Sequence, residues 1–193
     1  MGETTLAANL PHQRNLAAAT GVLGGTRLLE RRLSDMPRYY LDQNSVLARL
    51  AENPLIYQVY DAPIPEEPGH LCHCTTVIKP GRIGDEFFMT KGHHHRVDAA
   101  EVYYFLQGEG FLVMESRDGT ARSLAVSSGS VAYIPPGWAH RTVNTGAGDL
   151  GFYAVWPGVA GHDYASIEAE GFGLRVLATT EGPRALPARE GRS

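Results

Sequence analysis

The chain of 193 residues holds only two cysteines, carries no surplus of basic residues and contains no apolar run near the ~20 residues that a bilayer-spanning helix needs. Each shortage removes a class of protein. Cys72 and Cys74 stand two apart on a strand-like run, too extended for a mutual disulfide, and two thiolates alone make no closed zinc site. They read as small buried strand residues in a reducing compartment. A formal net charge of −4, from 17 basic and 21 acidic residues, argues against a nucleic-acid partner, because gripping a phosphate backbone needs a basic surface. No membrane partner is expected either. Met1-Gly2-Glu3-Thr4-Thr5 lacks the basic start of a secretory signal, and Leu6 stands where a myristoylation start needs Ser or Thr, so a cytoplasmic location is expected. Gly108-Glu109-Gly110 lacks the third glycine and the following helix of a nucleotide loop and reads as a tight turn.

What remains is ordinary for one globular domain, with 43% hydrophobic and 20% charged residues. Residues 1–29, rich in Ala, Gly and Leu, read as a flexible arm that can end in an added strand. The domain proper is expected over 30–180, and the Pro-, Arg- and Gly-rich tail over 181–193 is expected to fray. Arg32-Leu33-Ser34-Asp35-Met36 suggests a short turn. Asp42-Gln43-Asn44-Ser45 can cap a helix over 46–52, where Val46, Leu47 and Leu50 recur at helical spacing before Asn53-Pro54 ends it.

From Leu55 the pattern changes to short runs of period two, at 55–60, 71–79, 86–90, 101–106, 110–115, 123–126, 131–134, 140–144 and 150–156. Gly- and Pro-containing turns punctuate them, which favours an all-β, closed or sandwiched architecture over βαβ units. A brief helix is expected over 163–170, stopped at Gly171.

The chemistry concentrates in Gly92-His93-His94-His95-Arg96-Val97-Asp98-Ala99-Ala100-Glu101 and Pro135-Pro136-Gly137-Trp138-Ala139-His140. Side chains two apart on a strand share a face, so His93 and His95 can aim at one point, and Glu101 opens another such run with Tyr103 on its face. Imidazoles plus one carboxylate suit Fe(II), Mn(II), Ni(II) or Zn(II) and leave coordination positions open. His94 offers a competing imidazole, and Asp98 and Glu86 are rival carboxylates. Solvated or strand-edge roles are expected for those two. Lys91, Arg96 and His162, with backbone amides near Gly92, can form a local anion patch on an otherwise acidic chain.

The two segments, with Gly108, Gly129 and Asn144 at their expected offsets, resemble the paired motifs of the cupin superfamily, small antiparallel β-barrels of the jelly-roll type. A narrower likeness runs from about Arg31 to Phe172. Arg31-Arg32-Leu33-Ser34-Asp35-Met36, Thr75-Thr76-Val77, Thr90-Lys91-Gly92-His93, Glu101-Val102-Tyr103, Trp138-Ala139-His140-Arg141-Thr142-Val143-Asn144 and Gly161-His162-Asp163-Tyr164 occur in order. This resembles the cupin-type glucose-6-phosphate isomerase family, first known from archaea. The resemblance implies a single cupin barrel with short peripheral helices and a homodimer. It also implies one divalent metal ion per subunit, Fe(II) foremost, with Mn, Ni or Zn as alternatives. It assigns His93, His95, Glu101 and His140 to the metal, and Thr76, Thr90, Gly92, Tyr103, His162 and Tyr164 to a small phosphorylated sugar. Trp156 stands where archaeal members carry a tyrosine; indole can donate a hydrogen bond but cannot accept a proton as a phenol can.

The implied activity is interconversion of glucose 6-phosphate and fructose 6-phosphate, a step of glycolysis and gluconeogenesis. Glu101 is the candidate for moving a proton between C2 and C1 through a cis-enediol, with a metal-assisted hydride shift as the alternative. Two other classes use similar ligands: an Fe(II)-dependent cupin dioxygenase, which would consume O₂, and a non-catalytic sugar-binding cupin, which would retain its ligand without turnover. Neither has an evident need for Thr76, Thr90 and His162 as a phosphate grip.

Overall fold

Alternation in Glu101-Val102-Tyr103-Tyr104-Phe105 becomes, in a computed structural model that describes residues 10–188, one strand with Glu101, Tyr103 and Phe105 buried and Val102 and Tyr104 exposed. The parts of the arm and tail outside that range, with the signal and myristoylation readings at residues 1–9, lie outside the described residues. In chain order the strands are β1 (Leu16–Ala17), β2 (Val22–Leu23), β3 (Arg27–Arg32), β4 (Leu55–Asp61), β5 (Leu71–Ile78), β6 (Arg82–Ile83), β7 (Glu86–Phe87) and β8 (Glu101–Gln107). They continue with β9 (Glu109–Ser116), β10 (Ala121–Ser127), β11 (Val131–Ile134), β12 (Trp138–Asn144), β13 (Leu150–Pro157), β14 (Leu174–Thr179) and β15 (Gly182–Pro187). The helices are α1 (Gln43–Arg49) and α2 (Ala165–Glu170), with 3₁₀ turns at Leu33–Asp35 and Pro37–Tyr39.

Every strand pairing is antiparallel. A six-stranded sheet in the order β11-β8-β13-β5-β4-β3 lies across one core from a three-stranded sheet, β10-β9-β12. A four-stranded sheet, β15-β14-β7-β6, and the β1-β2 hairpin complete the layers. This is the all-β jelly-roll arrangement expected from the sequence. Phe105, Leu112, Ile134 and Leu150 are fully buried in the shared core, and each such side chain contributes on the order of 1.5–3 kcal/mol relative to exposure.

Local differences from the sequence reading have local causes. Helix α1 starts directly after Asp42, whose carboxylate accepts from the Ser45 amide at 3.0 Å, so the cap is one residue rather than a quartet. Its end comes at Arg49, and Asn53 at φ 40° turns the chain toward β4. The tail does not fray over 182–187: β15 pairs residue for residue with β14, a ladder of backbone hydrogen bonds that requires no apolar period. Residues 93–95 form no regular strand. They are tied in by isolated bridges, His93 with His140 and His94 with Asp163. Both cysteines are free and buried in β5.

Candidate metal centre and substrate cavity

Burial and pairing decide which side chains of the 92–101 segment meet those of β12. The His93 amide donates to the His140 carbonyl at 3.3 Å and the His140 amide to the His93 carbonyl at 3.1 Å, which sets these two residues side by side. Their ring centroids are 4.4 Å apart. Glu101, on the inner face of β8, places Oε2 2.8 Å from His140 Nε2 and 3.2 Å from His95 Nε2. His93, His95, Glu101 and His140 each offer a ligand atom, all within 4.8 Å of one another.

These atoms fit a cation better than they fit each other. The Glu101 contacts have hydrogen-bond length but not hydrogen-bond direction, so Nε2 of His93, His95 and His140 and Oε2 of Glu101 are buried with no hydrogen-bond partner. Four orphaned buried donor atoms are costly unless something binds them. The other ring nitrogens explain the orientation. His95 Nδ1 lies 2.8 Å from the Ala99 carbonyl and His140 Nδ1 lies 3.4 Å from the Trp138 carbonyl. A carbonyl only accepts, so each Nδ1 carries the proton and each Nε2 keeps a lone pair directed at the cluster. Ligands about one ion at ~2.1 Å sit up to ~4.2 Å apart, a span this group nearly matches as it stands.

Burial alone would raise the Glu101 carboxyl, but the His140 and His95 rings reverse that and hold it at about 2, so it is ionised; against its burial, the same contact raises His95, and a bound cation would take the place of the proton that Glu101 favours on that ring. Burial, reinforced by the neighbouring imidazoles of His140, His162 and His95, pushes His93 well below the usual imidazole range and keeps its lone pair free. Burial and the Glu101 charge push the Tyr103 phenol up, which keeps it a hydrogen-bond donor.

The cluster opens into a cavity of about 340 Å³. Thr76, Thr90, Gly92, Tyr103, His162 and Tyr164 all line it, together with His93, Glu101 and His140, while His95 completes the cluster from behind. Tyr103 stacks on Phe152 at 4.4 Å, which fixes its ring. Trp156 lies edge-on to His162 at 5.6 Å and is itself nearly buried. Burial, with Arg31 next, lowers Lys91, so the two cations at this wall sense each other.

Some candidates fall elsewhere. His94 is outside the cluster, its backbone paired with Asp163. Arg96 does not line the cavity; its Nε donates to the His162 carbonyl at 3.2 Å, beside a shallower depression that also takes in Arg117 and Asp163. Asp98 is exposed. Glu86 is no strand-edge group: it is buried, accepting from Leu41 N at 2.5 Å and from Arg175 Nη1 at 3.1 Å. Arg31, Glu66, Cys74 and Glu168, to which the sequence assigned no place in the site, also line the cavity. Only inward alternation along β5 marked Cys74, and nothing in the local pattern marked the others.

A jelly roll of antiparallel sheets with three imidazoles and one carboxylate converging inside it defines a cupin equipped to hold a metal ion. The chain belongs to the glucose-6-phosphate isomerase family, whose model matches residues 30–189, and is an enzyme of that family. It is similar to the glucose-6-phosphate isomerase of Thermococcus onnurineus, 45% identical over 159 residues that cover 82% of this chain and 84% of the relative. The glucose-6-phosphate isomerase of Pyrococcus furiosus is 42% identical over 160 residues, 82% and 85% of the two chains. A bacterial glucose-6-phosphate isomerase, from Sinorhizobium medicae, is 35% identical over 171 residues, 86% and 76% of the two chains.

Proposed function

We propose that the chain interconverts glucose 6-phosphate and fructose 6-phosphate, using one divalent metal ion per subunit held by His93, His95, Glu101 and His140. The observation that carries this reading is a cluster of four orphaned ligand atoms, three of whose residues line a cavity that also presents hydroxyl, amide and imidazole donors. Donors of that kind suit a phosphate. Fe(II) is the foremost candidate, with Mn, Ni or Zn suited to the same donor set. A bound divalent ion would supply Lewis-acid stabilisation of negative charge developing on sugar oxygens, worth several kcal/mol.

The remaining work falls to side chains. Thr76, Thr90, Gly92, His162 and Tyr164 hold and orient the phosphorylated sugar, and Tyr103 donates to a sugar oxygen. Trp156 and Phe152 wall the reacting carbons off from water. Glu101, ionised and next to the cavity, takes the proton from C2 of the aldose as O1 gains a proton, and returns it to C1 of the cis-enediol as the O2 hydroxyl gives one up, so that one proton passes from C2 to C1 and one from O2 to O1; the reverse reaction retraces these steps. We place the reaction in the cytoplasm, where phosphorylated sugars are retained, as a step of glycolysis or gluconeogenesis. We assign a homodimer to the exposed apolar face of β8 and β11, where Val102, Tyr104, Val131 and Tyr133 stand together.

The test is a coupled assay on protein stripped of metal by chelation and reloaded with single ions. Activity should vanish on stripping and return with one of the four. Full turnover in metal-free protein would refute the metal assignment, and oxygen uptake in place of isomerisation would move the chain to the dioxygenases.

A further inference from the structure

Arg141 is buried one residue after His140, and it spends its guanidinium on a single backbone oxygen. Nε and Nη2 donate to the Lys91 carbonyl at 3.1 and 2.6 Å. The cation is gripped by aromatic faces, 4.6 Å from the Phe172 ring centre and 5.7 Å from that of Tyr39. Such a clamp fixes a planar fork that lysine cannot imitate.

The position of that oxygen gives the grip its meaning. Segment 90–93 runs beside β12 and bonds to it on both sides of a gap: Thr90 N donates to Thr142 O at 2.9 Å, and His93 exchanges bonds with His140. Between these points the ladder is interrupted by Gly92, at φ 75°, where a side chain would meet the Phe172 ring at 2.7 Å and the His140 carbonyl at 2.9 Å. Arg141 bridges the interruption. The Lys91 carbonyl and the Gly92 N–H belong to one peptide unit, and Gly92 lines the substrate cavity. Among the described residues none accepts from that N–H. A cation bonded to the carbonyl end of a peptide polarises it and strengthens its N–H as a donor.

We infer that Arg141 is the positioning residue of the anion subsite: by holding the Lys91 carbonyl it orients and polarises the Gly92 amide for a phosphate oxygen, without touching the substrate. This rests on the proposed sugar-phosphate reading for its substrate, but not for its test.

The test compares the wild type with Arg141→Lys in the full-length, metal-loaded protein, measuring Kd for inorganic phosphate by calorimetry, KM and kcat for fructose 6-phosphate, and bound metal. Losing a fixed charge-assisted pair should raise the phosphate Kd and KM together by about tenfold or more, with metal content unchanged and kcat little altered. Phe172→Leu, which loosens the clamp while keeping the guanidinium, should shift both in the same direction by less, and it decides the matter if Arg141→Lys does not fold. Unchanged phosphate Kd in a folded variant, or a fall in kcat with KM untouched, would overturn the inference. If the wild type binds phosphate but does not isomerise the sugar, the proposed function fails while the phosphate arm still decides the role of Arg141.

Discussion

His93 and His140 come from different motifs of the sequence, yet they exchange two backbone hydrogen bonds, at 3.3 and 3.1 Å, and present their Nε2 atoms to one buried cluster. Main-chain pairing therefore sets the separation of two candidate metal ligands independently of any ion. Preorganisation of this kind lowers the ordering cost of binding. It also separates His93 from His94, whose amide pairs instead with Asp163.

His93→Ala and His140→Ala should each lose metal and activity together, because each removes a ligand atom. The expected loss of metal affinity exceeds the ~10–100-fold typical of outer-sphere changes. His94→Ala should retain metal like the wild type. Metal content per chain by elemental analysis checks the ranking, and a greater loss in His94→Ala than in His93→Ala would shift the ligand set by one residue.

Assembly is tested on the face of β8 and β11. Val131 and Tyr133 are 69% and 59% exposed and pair across the ladder with Tyr104 and Val102, themselves 46% and 40% exposed. An apolar cluster on an edge strand invites a second copy. Light scattering at micromolar concentration should report a dimer for the wild type and a monomer for Val131→Glu combined with Tyr133→Glu. A wild-type monomer, or a double variant that stays dimeric, would defeat the assignment of this face.

What the sequence made legible follows from how local the signal is. Burial alternation in β8 needs only period two, so Glu101 and Tyr103 could be placed on the inner face from the chain alone. That His93, His95, Glu101 and His140 come together was readable because they fall in two recognisable motifs. Arg141 lay inside the second motif without an assigned role, since its task depends on the Lys91 carbonyl, Tyr39 and Phe172 arriving from three other segments. The Glu86–Arg175 pair was hidden for the same reason. Strand β15 was unreadable because its side chains carry no period and its order comes from backbone pairing with β14.

Acid sensitivity should be traceable to the turn before α2. Asp163 Oδ1 accepts from the amides of Ser166 at 3.4 Å and Ala165 at 3.1 Å, and these bonds, with the Ser166 amide foremost, hold its carboxyl below the usual carboxylate range. A carboxyl lowered on folding adds stability above its unfolded value of ~3.9, and loses that contribution as pH falls through the folded value. Asp163→Asn should therefore have a lower Tm than the wild type at pH 7, and the gap should close once the pH is well below ~3.9. A gap independent of pH would show that the carboxylate charge is not what orders the turn.

The decisive prediction concerns Glu101 and the hydrogen that moves between C1 and C2. In the enediol route Glu101 removes the C2 proton of glucose 6-phosphate, shares it with solvent while it holds it, and delivers a proton to C1 on the same face. General acid–base catalysis contributes typically ~10²–10⁴-fold, so Glu101→Gln should lower kcat by at least that order. Glu101 is also a candidate ligand, and its loss could empty the site, so bound metal must be measured in the same sample and activity expressed per loaded subunit. The isotope experiment avoids this ambiguity because it uses the wild type. With fructose 6-phosphate as substrate in D₂O, deuterium should appear at C2 of the glucose 6-phosphate formed, as seen by NMR. Product formed with no solvent deuterium would mean that hydrogen passes directly from C1 to C2 as hydride while a proton passes from O1 to O2, a path that needs no base at carbon, and Glu101 would lose its role in moving the C–H proton.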